Sequence, residues 1–132
     1  MNRFPTPGFR ERVAGRLVYV AGPYAHSTEE GRLQNVERAC GLSRAVLRCG
    51  GIPVVVHPTI LHGGYGEPSD TDPAERARGM TATLAIARFI RDADGLCVAL
   101  TRDDGSLSDG TRDEVRLFDS MNVYPVYPSE VL

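Results

Sequence analysis

Apolar residues fall into two kinds of run along this chain. The first kind is short and dense in β-branched and aromatic side chains: Arg16-Leu17-Val18-Tyr19-Val20-Ala21, Ile52-Pro53-Val54-Val55-Val56-His57, Gly95-Leu96-Cys97-Val98-Ala99-Leu100 and Asn122-Val123-Tyr124-Pro125-Val126-Tyr127. Each reads as a strand, the first of them buried. Pro53 and Pro125 cannot donate to a ladder, so each belongs at a strand start or on a sheet edge. The second kind recurs at helical spacing. Leu33, Val36, Cys40 and Leu47, widened by Ala39, Leu42 and Val46, predict one helix. Ser27 or Thr28 is its N-cap, Glu29 and Glu30 favour its positive end, and Gly50-Gly51 stops it. A second helix opens on Asp72-Pro73-Ala74-Glu75, where Asp72 can cap and Glu75 sits at the capping-box position. It runs to about Ala93 and buries Met80, Leu84, Ala87 and Ile90. A third spans about Gly110 to Met121.

The resulting order is βαβαβαβ. Such alternation predicts an α/β fold, a small doubly wound parallel sheet of flavodoxin- or Rossmann-like type with helices on both faces. Residues 1–15, with Pro5, Pro7, Gly8 and Gly15 among charges, read as a loose lead-in, and residues 16–132 as one domain. Ligands of such sheets bind beyond the carboxyl ends of the strands, near the switch in strand order. The unusual residues lie at those ends: Gly22-Pro23-Tyr24 after the first strand, His57-Pro58 after the second, and the segment from Ser108 to Glu114 after the third.

Composition narrows the ligand. At 132 residues and 42% hydrophobic content the chain suits a single globular unit. A formal net charge of -2 provides no basic excess for a nucleic-acid polymer, although a single phosphate group remains compatible. No apolar run reaches the length of a membrane span and no signal-peptide pattern is present, so the expectation is a cytoplasmic protein without a membrane partner. Cys40, Cys49 and Cys97 lack C-x-x-C spacing and read as small buried residues kept reduced.

The chemistry follows from residue types. A glycine at 22 lets the backbone pass close to a ligand, and Tyr24 offers a ring for stacking and a phenol for hydrogen bonding. Backbone amides at a helix start favour a phosphate or carboxylate, and the Ser108 hydroxyl adds a donor without negative charge. Glu114 carries the same sign as a phosphate and must face another part of the ligand. A carboxylate beside an anomeric carbon can attack it, or stabilise the oxocarbenium-like transition state. His57 and His62 lack a third ligand at metal spacing and read as structural or ligand-lining, as does His26. Arg76 and Arg78 read as a solvated helix face.

Taken together, Val18-Tyr19-Val20-Ala21-Gly22-Pro23-Tyr24, Asn35-Val36-Glu37-Arg38-Ala39, Pro73-Ala74-Glu75-Arg76 and the Ser108–Glu114 segment resemble the nucleoside 2-deoxyribosyltransferase-like superfamily. The resemblance covers about Leu17 to Tyr127. It implies that Glu114 is the nucleophile at the anomeric carbon and that Gly110 is the glycine four residues before it. It implies that Ser108 binds phosphate, where the transferases typically carry an aspartate, and that Gly22, Pro23 and Tyr24 form the first substrate loop. His57 is a further candidate for the substrate pocket. The implied activity is hydrolysis of the N-glycosidic bond of a (deoxy)nucleoside 5′-monophosphate, without metal or other cofactor. The alternatives are base exchange between nucleosides and a non-catalytic nucleotide-binding or sensing module. The implied partner is a small nucleoside or nucleotide, and the implied assembly a homo-oligomer, most simply a dimer. One position departs from the family: Ile86 stands at or near the place of an aspartate that helps position the sugar or the leaving base. Thr81 or Thr83 can supply a polar group there if the helix register differs.

Overall fold

The computed structural model describes residues 5–23, 28–56 and 73–131. Within them the chain runs α1 (Pro7–Val13), β1 (Leu17–Ala21), α2 (Glu29–Arg48), β2 (Ile52–Val55), α3 (Pro73–Asp92), β3 (Leu96–Leu100), α4 (Asp109–Val115), a 3-10 turn (Ser120–Asn122), β4 (Val123–Val126) and α5 (Pro128–Val131). The strands form one parallel sheet in the order β2-β1-β3-β4. This is the doubly wound α/β architecture that the alternation predicts. The chain leaves β1 on one side for β2 and returns on the other for β3, so the strand order switches between β1 and β3. Pro53 and Pro125 lie on β2 and β4, the two edge strands, where a missing N–H costs no ladder bond.

Alternation along the central strands sorts side chains to two faces. Val18 and Val20 of β1, with Leu96, Val98 and Leu100 of β3, pack against Phe9 and Val13 of α1 and Leu42, Ala45 and Val46 of α2. Tyr19, Ala21 and Cys97 face the opposite way, against Ala87 and Ile90 of α3 and the segment around Phe118. Cys49 and Cys97 are buried free thiols and Cys40 is half-buried.

Three features differ from the sequence pattern. The first is the segment read as a loose lead-in, where residues 7–13 fold as α1. Thr6 caps this helix by accepting from the Phe9 amide at 3.3 Å. Phe9 and Val13 are fully buried, and the Phe9 ring meets Tyr124 edge-on at 5.4 Å between centroids. Two apolar residues four apart were too few to stand out among the prolines and charges.

The second is the phase of α2. Thr28 is its cap, accepting from the Gly31 amide at 3.0 Å. Leu33 and Leu47, placed on the apolar stripe, are exposed. The inward stripe instead runs through Gly31, Asn35, Leu42, Ala45 and Val46. It is apolar only in its second half, and the polar first half hid it.

The third is α4, which ends at Val115 rather than near Met121. Leu117 and Phe118 close short turns onto Glu114 and Val115, and Phe118 turns inward beside Tyr19, with ring centroids 6.1 Å apart. Core packing of one aromatic ring overrides the helical preference of its neighbours.

Candidate functional site

The carboxyl ends of β1 and β3 converge at the switch in strand order. β1 runs into Gly22 and Pro23. A Cβ at Gly22 would stand 3.1 Å from Cβ of Leu100 and 3.5 Å from its Cδ2. The glycine therefore lets the end of β1 close onto β3, which places Pro23 beside Leu100 and Thr101. Tyr24 and His57, both expected in the pocket, lie outside the described residues, as do His26, His62 and Asp72.

Glu114 projects from α4 toward the sheet and is fully buried. It meets Tyr19 of β1 and Cys97 of β3, which are direct register partners in the sheet. The Tyr19 phenol lies beside the carboxylate, and the two groups interact electrostatically. Burial, followed by the nearby Glu114 charge, holds the Tyr19 phenol and the Cys97 thiol far above their ordinary pKa values. Both groups stay neutral, so Tyr19 keeps its phenolic proton across the physiological range. Burying a carboxylate costs several kcal/mol, on the order of what whole domains have to spare. Proteins keep such groups chiefly where chemistry needs them. Glu114 stands out in the sequence as a candidate, whereas Tyr19 does not. The available signal was a hydroxyl on an inward position of an otherwise aliphatic strand.

Ser108 is the N-cap of α4. Its hydroxyl accepts from the Thr111 amide at 3.2 Å and shares a proton with the Thr111 hydroxyl at 2.6 Å. Its O–H is open to a ligand only in the arrangement where Thr111 donates. Gly110 lies under α3, where an added Cβ would sit 3.3 Å from Cε of Met80. One turn along α3, Thr83 is fully buried, and its hydroxyl has no hydrogen-bond partner among the described residues. Thr81 is exposed and bonds back to the Ala77 carbonyl at 2.9 Å. Ile86 packs against the core cluster around Tyr19. Of these three positions, Thr83 thus brings a polar group inward.

A cleft of about 490 Å³ opens over the α2 side of the switch point. Its walls are Pro23, the polar first half of α2 (exposed Gln34, buried Asn35 and half-buried Arg38), and residues 100–104 from the end of β3. This is within the size range of small-molecule sites. The turn after β3 is fixed by its own hydrogen bonds. Arg102 N donates to the Ser106 carbonyl at 2.8 Å, and Asp104 accepts from the Ser106 amide at 2.9 Å and hydroxyl at 2.6 Å. These bonds from Ser106, with the Arg102 charge, hold the Asp104 carboxyl below its usual range. Glu114 does not line this cleft. The sheet edge separates the two, with Glu114 on the side of α3 and α4. Sequence reasoning missed Asn35 and Arg38 as candidates for a ligand. Polar residues on the inward stripe of an otherwise apolar helix were the signal.

Among the described residues no helix is long and apolar enough to cross a membrane. Residues 16–125 match the family described as Domain of unknown function (DUF7768), and the chain belongs to that family. No curated protein and no solved structure matches the chain.

Proposed function

Taking the chain as a member of that family, we propose that it cleaves the N-glycosidic bond of a (deoxy)nucleoside 5′-monophosphate, with Glu114 as nucleophile. The observation that carries this reading is the fully buried Glu114 carboxylate, placed beneath the switch in strand order beside the Tyr19 phenol. The resemblance to the nucleoside 2-deoxyribosyltransferase-like superfamily points to the same residue.

In this mechanism a carboxylate oxygen of Glu114 attacks C1′ of the sugar. The C1′–N bond breaks and its electron pair leaves with the base, giving a glycosyl ester on Glu114. Water then attacks C1′ and releases the sugar phosphate and the free carboxylate. Tyr19, a neutral phenol beside the carboxylate, is placed to orient it before attack. Because Glu114 is sealed from solvent, a bound sugar has to displace the residues covering it. The phosphate has two candidate seats: the start of α4 at Ser108 and Gly110, or the α2 cleft.

A second reading is a nucleotide-binding module without turnover. It is favoured by the position of the cleft, which Glu114 does not line, and by Ile86 where the superfamily places an aspartate. In either reading the protein works in the cytoplasm as a homo-oligomer.

The test is release of free base from a panel of nucleosides and nucleoside monophosphates, with and without a second free base. Release from monophosphates alone is expected. Release only when an acceptor base is present would make the protein a transferase, and binding without release would leave the non-catalytic reading.

A further inference from the structure

The inward stripe of α2 changes character along its length. From Leu42 onward it is aliphatic and packs on the sheet. Before Leu42 the same stripe carries Asn35 and Arg38, and that half lines the cleft over the ends of β1 and β3. A guanidinium whose Nε is buried on the inward side of a helix is costly unless something in the cleft satisfies it.

Arg38 shows the need most clearly. Its Nε is shielded from solvent and donates to no acceptor among the described residues. Side-chain ion pairs on the described surface are formed by other arginines, such as Arg32 with Glu29 at 2.7 Å. A guanidinium with an N–H buried in a cleft and unpaired calls for an acceptor in its plane. Phosphate and carboxylate match that fork geometry.

The other charges of the cleft are arranged unequally. Arg102 is exposed on the turn after β3, and Asp103 and Asp104 are exposed beside it. The Asp104 carboxylate is turned onto Ser106. Arg38 is thus set into the wall, while Arg102 stands at the rim with Asp103 and Asp104 and offsets part of their charge. An anion at the rim is repelled by Asp103, and one at the wall is held by Arg38. A ligand carrying an oxyanion at one end and hydroxyl or amino donors at the other suits both.

We propose that the α2 cleft is a phosphate-monoester site, with Arg38 as the residue that holds the oxyanion and Asp103 on the rim facing the donor-bearing end of the ligand. This rests on the nucleotide reading above only in taking the ligand to be a nucleoside monophosphate. The anion site stands on the cleft and Arg38. It assigns the phosphate to α2 rather than to the start of α4, where the Ser108 hydroxyl already serves the Thr111 amide.

The test is a titration of the full chain, labelled with nitrogen-15, with inorganic phosphate, nucleoside monophosphates and unphosphorylated nucleosides. The expected result is a saturable shift of the Arg38 Nε–Hε resonance and of amides 34–38 and 101–104. Arg38→Gln should weaken monophosphate binding by about tenfold or more, as expected for a lost charge-assisted pair, while its amide spectrum elsewhere remains that of the folded protein. Arg38→Lys, which keeps the charge but not the fork, should recover part of it. Equal response to inorganic phosphate and to monophosphates identifies a phosphate site with no nucleoside contribution, and removes the role given to Asp103. The proposal is overturned if Arg38 does not respond to any phosphate compound, if Arg38→Gln binds as tightly as the parent, or if the shifts are confined to residues 108–111. Phosphate binding at Arg38 without any base release would refute the glycosidase reading and leave this site standing. Base release with an unchanged KM in Arg38→Gln would do the reverse.

Discussion

The Tyr19 phenol lies beside the carboxylate of Glu114, and neither residue is more than 1% exposed. A strand residue in the middle of the sheet thereby meets a helix residue that the chain order separates from it by most of the domain. The pair places the only charged side chain of the buried set described here under the point where the strand order reverses.

The pair gives stability a pH dependence on the alkaline side. The Tyr19 pKa is raised by burial and then by Glu114, so the folded state holds the phenolic proton where the unfolded chain releases it. The stabilisation is complete below about pH 10, the ordinary tyrosine value, and is lost progressively above it. Cys97 acts in the same direction from about pH 8.5. Urea melts across this range should show stability falling with pH, and Tyr19→Phe should flatten the fall. The same variant should lose about 1–3 kcal/mol at neutral pH, because it takes the polar neighbour of a buried carboxylate away. An unchanged slope in Tyr19→Phe would show that the phenol is not protected in this way.

Thr83 carries a buried hydroxyl without a hydrogen-bond partner among the described residues, a position that costs about 1–3 kcal/mol. Thr83→Val keeps the shape and removes the cost. The melting temperature should hold or rise, while base release falls, if the hydroxyl serves the bound sugar. A rise in melting temperature with full activity would assign Thr83 no part in the reaction.

The phase of α2 and the role of α1 can be checked by truncation. Leu42→Ala and Phe9→Ala each open a cavity in the same cluster and should cost about 2–5 kcal/mol in chemical denaturation. Leu47→Ala, on the exposed side of α2, should stay within about 0.5 kcal/mol of the parent. Equal losses at Leu42 and Leu47 would contradict the packing.

Much of this arrangement was legible in the sequence, for physical reasons that differ from element to element. The central strands β1 and β3 were legible because burial on both faces demands unbroken apolar runs, and the prolines marked the less buried β2 and β4 as edges. Glu114 was legible from its offset to Ser108 and Gly110 at a strand-to-helix junction. Asn35 and Arg38 were not, because a helix whose inward stripe turns polar loses the periodicity by which helices are read. Tyr19 was masked in the opposite way: an aromatic residue in an apolar run looks like core, and its hydroxyl acquires meaning only from Glu114, far along the chain. α1 was hidden because its two anchors, Phe9 and Val13, give too short a pattern to register against Pro5, Pro7 and Gly15.

The central claim is that Glu114 forms a bond to the sugar. The most direct measurement mixes the protein with a nucleoside monophosphate in a rapid quench and follows base release together with intact mass. The account predicts a burst of base matched by a sugar-phosphate adduct that maps to the peptide carrying Glu114. Glu114→Gln should form no adduct, release base about a thousandfold more slowly or not at all, and keep the parent's circular dichroism. Base release undiminished in Glu114→Gln, or an adduct on another residue, would contradict it.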